Sequence, residues 1–304
     1  METLNYGVEI EMTGITKQQA SNIIADYFNT GFGIYEGGTY SAWIAKDRKG
    51  RIWKAEHDSS IMAQRKVDGQ KVTAGDDYKT EMVTPILQYD DLVDLQEIVR
   101  SLRKAGAMVN DHCGMHVHVG AENFTPQTLR NIVNIIASKE DLLYQALQVD
   151  PTRIRYCKKT NEMLLRTINR RKPKTMQQLA DIWYQEDPYG RDRHYNETRY
   201  HGLNLHATFT KGTVEFRLFN STLHAGEVKA YVQFCLAVCH QALIQKKASC
   251  KKSQMENEKY AFRCWMLRLG LIGDEFKTCR HHFLKNLSGN SAWREGHPEG
   301  AKNE

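Results

Sequence analysis

No apolar run in this 304-residue chain approaches the length of a membrane span. The N-terminus, METLNYGVEIEM, has no basic stretch leading into an apolar one, so it does not read as a secretory signal, and the expected location is the cytoplasm. The seven cysteines are odd in number and irregular in spacing, which argues against a disulfide framework. Cys235, Cys239 and His240, with Cys279, His281 and His282, are zinc-ligand types without the paired spacing of structural zinc sites. Cys235 and Cys239 instead share a helical stripe with Val228, Tyr231, Val232, Leu236 and Val238, which reads as a buried face. There is no internal repeat or low-complexity tract. There is no P-loop and no glycine-rich dinucleotide signature, so a nucleotide would have to be held by other means. Cys113 has no local base arrangement that would make it a nucleophile. A large charge excess is missing too: 42 basic residues face 36 acidic ones, for a net +6. The excess is uneven, however. Between Arg153 and Lys174 nine basic residues meet one acid, Glu162, a cluster that suits a polyanion or a phosphorylated ligand, or else a solvated loop.

The periodicity gives strands separated by helices, without regular βαβ alternation. NYGVEIEM alternates as a strand; TKQQASNIIADYF follows as a helix with Thr16 at its N-cap and Ile23, Ile24 and Tyr27 facing inward. SAWIAKDRKGRIWKAEHD reads as a hairpin turning at 47–50, and YKTEMVTPIL as a strand ending at Pro85. YDDLVDLQEIVRSLRKAG is an amphipathic helix closed by Gly106, and GMHVHVG is the next strand. Thr125-Pro126 open a helix expected to continue to about Gln148. Residues 150–200 are irregular apart from TMQQLADIWYQ. YHGLNLHATFTKGTVEFRLFN reads as a hairpin turning near Lys211-Gly212, and a long helix follows from about 226 to 246. The expected fold is α+β with a mainly antiparallel sheet, which can be covered on one face and open on the other. The expected division is a catalytic domain over 1–246 and a basic, partly helical extension over 247–304 with a frayed end.

Side chains i and i+2 share a face of a strand. Glu9 and Glu11 therefore share one face, His116 and His118 another, and Glu215 and Arg217 a third, with Met115, Val117, Val119, Val214, Phe216 and Leu218 on the reverse sides. Glu81 lies opposite Met82. These polar faces hold only metal-ligand types and one guanidinium, where a merely solvated face would mix lysine, threonine and serine. Four carboxylates on neighbouring strands would repel one another strongly unless divalent cations sat among them. Oxygen-rich sets of this kind suit magnesium or manganese, and Arg217 beside them would meet phosphate oxygens bidentately.

YGVEIEM, DSSI at 58–61, TEMVTPIL, CGMHVHVG and GTVEFRLF, in that order, resemble the glutamine synthetase and glutamate–cysteine ligase superfamily, and within it the amidoligase (carboxylate–amine ligase-like) branch. GMHVH and EFR resemble the glutamine synthetase metal and phosphate motifs especially closely. The resemblance spans about residues 5–240. It implies a curved antiparallel sheet forming a funnel with helices on its convex side, ATP entering one end and the carboxylate substrate the other. Carried over position by position, Glu11 and Glu81 would hold the cation nearer the acceptor, and Glu9, His116 and Glu215 the cation bridging the ATP phosphates. His118 and Arg217 would contact transferring or terminal phosphates. Asp58, in the D-x-S turn, would take part with Ser60 in handling the substrate, and Arg199 and Asn204 would be further substrate contacts. Glutamine synthetase has two acidic ligands where only Glu81 is evident here.

The implied activity is ATP-dependent amide ligation through an acyl phosphate on an amino-acid-like acid, a glutamyl carboxylate being one such acid, with ATP and Mg2+ (or Mn2+) as cofactors. The amine donor is left open, and a peptide or protein substrate is compatible with it. Rival readings are phosphoryl transfer or amide hydrolysis on the same site, a nucleic-acid-binding protein using residues 153–174, and a zinc hydrolase built on His116, His118 and a carboxylate. The sequence favours neither nucleic acid nor membrane as a partner.

Overall fold

The computed structural model describes residues 1–252 and 257–292. Strand β1 (Tyr6–Met12) leads into helix α1 (Lys17–Phe28), whose first turn is closed by Thr16 and Gln19 in a reciprocal capping box. Strands β2 (Ile34–Gly37), β3 (Ala42–Lys46) and β4 (Ile52–Glu56) form a meander. The β3–β4 turn falls at 47–50 as expected: Asp47 Oδ1 accepts the N–H groups of Lys49 and Arg51, and Gly50 takes a positive φ of 76°. A separate two-stranded ribbon, β5 (Gln64–Val67) and β6 (Gln70–Thr73), has no counterpart in the sequence reading. Strand β7 (Thr80–Val83), helix α2 (Leu92–Lys104) and strand β8 (Gly114–Gly120) follow.

The helix expected from 125 to 148 is two helices, α3 (Pro126–Ala137) and α4 (Glu140–Leu147). At the break Ser138 Oγ donates to the Ile135 carbonyl, a local bond that competes with helix continuation. Beyond it the buried Glu140 carboxylate accepts both the N–H and the hydroxyl of Thr160. The irregular stretch holds α5 (Glu162–Arg171), which the sequence reading lacked, and α6 (Met176–Trp183), which it had. The hairpin expected over 200–220 is reduced. Strand β9 (Leu203–Asn204) has two residues, a short helix α7 (His206–Thr210) intervenes, and β10 (Thr213–Asn220) starts after Gly212. Asn204 Oδ1 accepts the His206 N–H and turns the chain out of the strand there. Helices α8 (Ala225–Ile244), α9 (Glu258–Arg268) and α10 (Lys277–Leu284) follow and are the last elements of the described residues. The expected frayed end beyond 292 lies outside the described residues.

Eight strands form one open antiparallel sheet in the order β2-β3-β4-β7-β1-β8-β10-β9. The fold is thus mixed α and β, built on a large antiparallel sheet that does not close on itself. Val8, Ile10, Met82, Met115, Val117 and Phe216 point to one face and are wholly buried under α1, α2, α3 and α8. The other face carries the polar set, and β1, β7, β8 and β10 bring that set to the centre of the sheet.

Candidate metal centre and flanking cavities

Register places the charged residues as neighbours. Glu9 on β1 lies beside His116 on β8, Glu11 beside Glu81 on β7, and His118 beside Glu215 on β10. All sit on the open face, as the alternation requires. Between Phe216 and Phe219 the β10 ladder slips, so Arg217 and Leu218 together oppose His116. This is a β-bulge, which bends the strand locally and breaks its alternation, so that Leu218 and Phe219 both join the apolar core. Arg217 keeps the face of Glu215: its guanidinium is buried, and its Nη1 donates to Glu215 Oε1 at 2.6 Å.

Two triads of ligand atoms form around His116. One comprises Glu9, His116 and Glu215; the other comprises Glu11, Glu81 and His116. Within each, the potential ligand atoms lie within 4.8 Å of one another. His116 Nδ1 is 2.9 Å from Glu9 Oε2, and its Nε2 is 3.8 Å from Glu11 Oε1. His118 Nδ1 pairs with Thr213 Oγ1 at 3.0 Å. Its Nε2 lies 3.1 Å from Glu9 Oε1 but is not aligned for a hydrogen bond, leaving a buried polar atom unpartnered.

Protonation follows from these neighbours. Burial pushes the Glu11 carboxyl up to about 8, with Asp58 adding to the rise against the Gly114 N–H, Arg153 and Arg217. Burial also raises Glu81 well above the usual carboxylate range, reinforced by Glu9, Glu11, Asp58 and Glu56. Burial opposes ionisation of Glu9 and Glu215 as well, but the charges around them prevail. His118 and His116 hold Glu9 well below the usual range, and Arg217 and the two histidines hold Glu215 down at about 2. Burial and Arg217 depress His116 to about 4, so it is a neutral imidazole with a free lone pair at pH 7. For His118 burial acts the other way from the net result: Glu9 and Glu215 raise it. Two carboxyls raised chiefly by burial, one neutral imidazole and one orphaned ring nitrogen form a donor set in which a divalent cation could replace protons. The donor set, carboxylate oxygens with imidazole, fits Mg2+ or Mn2+.

The cluster separates cavities at opposite ends of the strands. One, of about 290 Å³, lies at the start of β1 and the end of β8, lined by Tyr6, Gly7, Val83, Pro85, Ile86 and Gly120, and reaching Glu9, His118 and Lys211. A second, of about 550 Å³, lies at the other end, where Glu11, His116 and Arg217 meet Asp58, Ser60, Arg153, Arg199 and four tyrosines, Tyr40, Tyr156, Tyr195 and Tyr200. A third, of about 630 Å³, runs along the sheet between them past Glu81.

Each sequence-predicted residue has a place. Glu9, Glu11, Glu81, His116, His118, Glu215 and Arg217 converge. Asp58 faces the second and third cavities, and its Oδ1 accepts the Ser60 N–H at 2.7 Å. Arg199 borders the same two cavities. Asn204 lines none of the three and is buried: its Nδ2 donates to Glu215 Oε2 at 2.6 Å, so it grips that carboxylate. Glu56, overlooked in the sequence, lies beside Glu81 on β4 and pairs with Lys54 at 3.2 Å. The alternation of Trp53 and Ala55 with Lys54 and Glu56 could have revealed it. Lys211, 3.8 Å from Glu9, and Arg153 were also unassigned. The basic run 153–174 does not form one surface. Arg153 is buried at the site, Lys159 pairs with Asp141, Arg166 with Glu162, and Arg170, Arg171, Lys172 and Lys174 are exposed.

Among the described residues no helix is long and apolar enough to cross a membrane. Residues 2–239 match the family model described as "Putative amidoligase enzyme". No curated protein matches the chain.

Proposed function

The chain belongs to the family of putative amidoligase enzymes, and from that premise we propose that it is an ATP-dependent ligase joining a carboxylic acid to an amine through an acyl phosphate. The observation that carries the proposal is the pair of ligand triads sharing His116, with a cavity at either end of the same strands. A carboxylate does not condense with an amine at neutral pH, because it is anionic and its oxygen leaves poorly. Phosphorylation removes both obstacles.

The smaller cavity takes the nucleotide. Tyr6, Val83, Pro85 and Ile86 give it apolar walls for a base, and its inner end opens on Glu9, His118 and Lys211, where phosphates would lie. Divalent cations held by Glu9, His116 and Glu215, and by Glu11 and Glu81, would neutralise phosphate charge during transfer. Arg217, fixed by Glu215, faces the junction of the two larger cavities and offers its remaining N–H groups to the moving phosphoryl oxygens. Lys211 and the raised His118 add positive charge on the nucleotide side. The acid enters from the Asp58 and Ser60 end. Its carboxylate oxygen attacks the γ-phosphorus, giving acyl phosphate and ADP; the amine then attacks the acyl carbon, and phosphate leaves.

The test supplies ATP, Mg2+ and hydroxylamine as a general amine, and screens carboxylic acids for hydroxamate. ADP that forms only when acid and amine are both present is the expected result. ADP formed with the acid alone, beyond one equivalent of enzyme, points to phosphoryl transfer, and ATP-independent amide cleavage points to hydrolysis. Glu215→Gln is expected to lower hydroxamate formation at least a hundredfold in a folded protein, since it removes a ligand and the anchor of Arg217. Unchanged turnover would reject this site.

A further inference from the structure

Two guanidiniums are buried at or beside the centre, and one is committed to a carboxylate: Arg217 pairs with Glu215. The other, Arg153, is different. It is 3% exposed, and its guanidinium donates through Nη1 and Nη2 only to backbone carbonyls, those of Phe219 and Arg217. No carboxylate of the described residues lies within ion-pairing distance of it. Those two carbonyls flank the β10 bulge, so the bulge fixes the plane of the guanidinium. Two of its five N–H groups are used, and the side chain lines the 550 Å³ cavity next to Glu11. A buried guanidinium without a counter-ion costs several kcal/mol, a cost that an anion arriving in the cavity would offset. The neighbouring strand makes room for it: a Cβ at Gly114 would lie 2.3 Å from Nη2.

We propose that Arg153 is the receptor for the acceptor's reacting carboxylate, binding it on the side opposite Arg217 before phosphorylation. This rests on the reading that the acid occupies this end of the trough. Planar, fixed by two carbonyls and always charged, the group presents a fork matched to a carboxylate. Arg217, tied to Glu215, stays available for phosphate oxygens, so the two guanidiniums divide the acyl and phosphoryl halves of the reaction.

The probe is malonate, a small carboxylate, titrated calorimetrically into the full-length protein freed of metal with EDTA and without nucleotide. A failure of the ligase reading would show in the hydroxamate assay and leave this titration untouched. Wild type is expected to bind malonate saturably, Arg153→Gln at least tenfold more weakly, and Arg153→Lys between the two, because it retains the charge but loses the fork. Arg153→Gln keeps a donor for the bulge carbonyls, so if the residue only closes the bulge, malonate affinity will not change and the proposal is overturned. Absence of saturable binding to wild type overturns it equally. Should Arg153→Gln not fold, Gly114→Ala displaces the same guanidinium and is expected to weaken malonate at least tenfold. A crystal of the wild-type protein grown with malonate is expected to show a carboxylate against Arg153, and malonate located only elsewhere would refute the assignment.

Discussion

Asn204 shows how much of a candidate site can be hidden behind its charged residues. Its amide donates to Glu215 Oε2 while its carbonyl accepts the His206 N–H, so one side chain both orients a candidate ligand and ends β9. Asn204→Ala leaves Glu215 with the hydrogen bond from Arg217 and the looser contacts of His116 and His118, and frees its Oε2 to swing. Such a supporting contact typically governs 10–100-fold in metal affinity or activity, and the lost buried bonds cost about 1–3 kcal/mol in stability. The expected outcome is hydroxamate turnover down by about that factor, with the Mg2+ concentration for half-activity raised. Equal turnover at every Mg2+ concentration would show that Glu215 needs no such support. The convergence of the charged residues was legible because a strand with one face buried sets its polar side chains at i and i+2: Glu9 and Glu11, His116 and His118, Glu215 and Arg217. Arg153 and Asn204 were harder. Arg153 sits in a 3-10 segment with no period, and only the fold brings it to Gly114 and the β10 carbonyls. Asn204 needs its cross-strand neighbour to be known before its role has meaning.

Elements were legible where local chemistry agreed with the packing, and were misread where a side chain diverted the backbone. Thr16, Pro126 and Gly106 mark helix ends as expected. Ser138 and Asn204 do the diverting, one splitting a helix and the other shortening a hairpin. The β3–β4 hairpin and the start of α2 are tied by charge. Asp91, 4% exposed at the side chain, receives Arg51 at 2.8 Å and Lys49 at 2.9 Å, while Arg51 also holds Asp47. Burial alone would raise Asp91, but the hydrogen bonds from Arg51, the Gln88 N–H and Lys49 outweigh it and hold the carboxyl well below its usual range. A carboxyl depressed in the folded state contributes stability above its unfolded pKa, about 3.9, and loses it as pH falls towards the folded value. Asp91→Asn is therefore expected to cost about 2–3 kcal/mol at pH 7. The gap between the variant and wild type, measured by urea midpoints, should narrow between pH 5 and pH 2. A gap that does not vary over that range would mean that the pairing contributes through shape and not charge.

On the scale of the molecule, the open sheet has one face for chemistry and one for burial, and the buried face must be closed by helices. The family match ends at residue 239, inside α8, yet α8 is not the outer layer. Helix α10 packs on it, with Phe283 against Phe234 at 4.6 Å and Tyr231 at 5.8 Å; from α9, Trp265 meets Phe234 at 5.5 Å, and Phe262 lies 6.0 Å from Phe283. Phe262, Met266, Cys279 and Phe283 are fully buried in the same core as β1 and β8. The sequence reads 247–304 as a basic, partly helical extension; that α9 and α10 pack on α8 shows only once α8 is placed beside them, because both are short and their aromatic residues form no clear stripe alone. Burying each large apolar side chain is worth about 1.5–3 kcal/mol, so the Phe262, Trp265, Met266 and Phe283 group contributes on the order of 10 kcal/mol, comparable to the whole stability of a typical domain. A chain stopped at residue 246 keeps every residue of the candidate centre but exposes Phe234 and the adjoining α8 surface. It is expected to be insoluble or molten, without hydroxamate activity, while Phe283→Ala in the full chain costs about 3–5 kcal/mol and keeps its turnover below its lowered melting point. A truncated protein that melts cooperatively near the full-length temperature would show that the sheet and α8 suffice alone, and that α9 and α10 serve something other than the core.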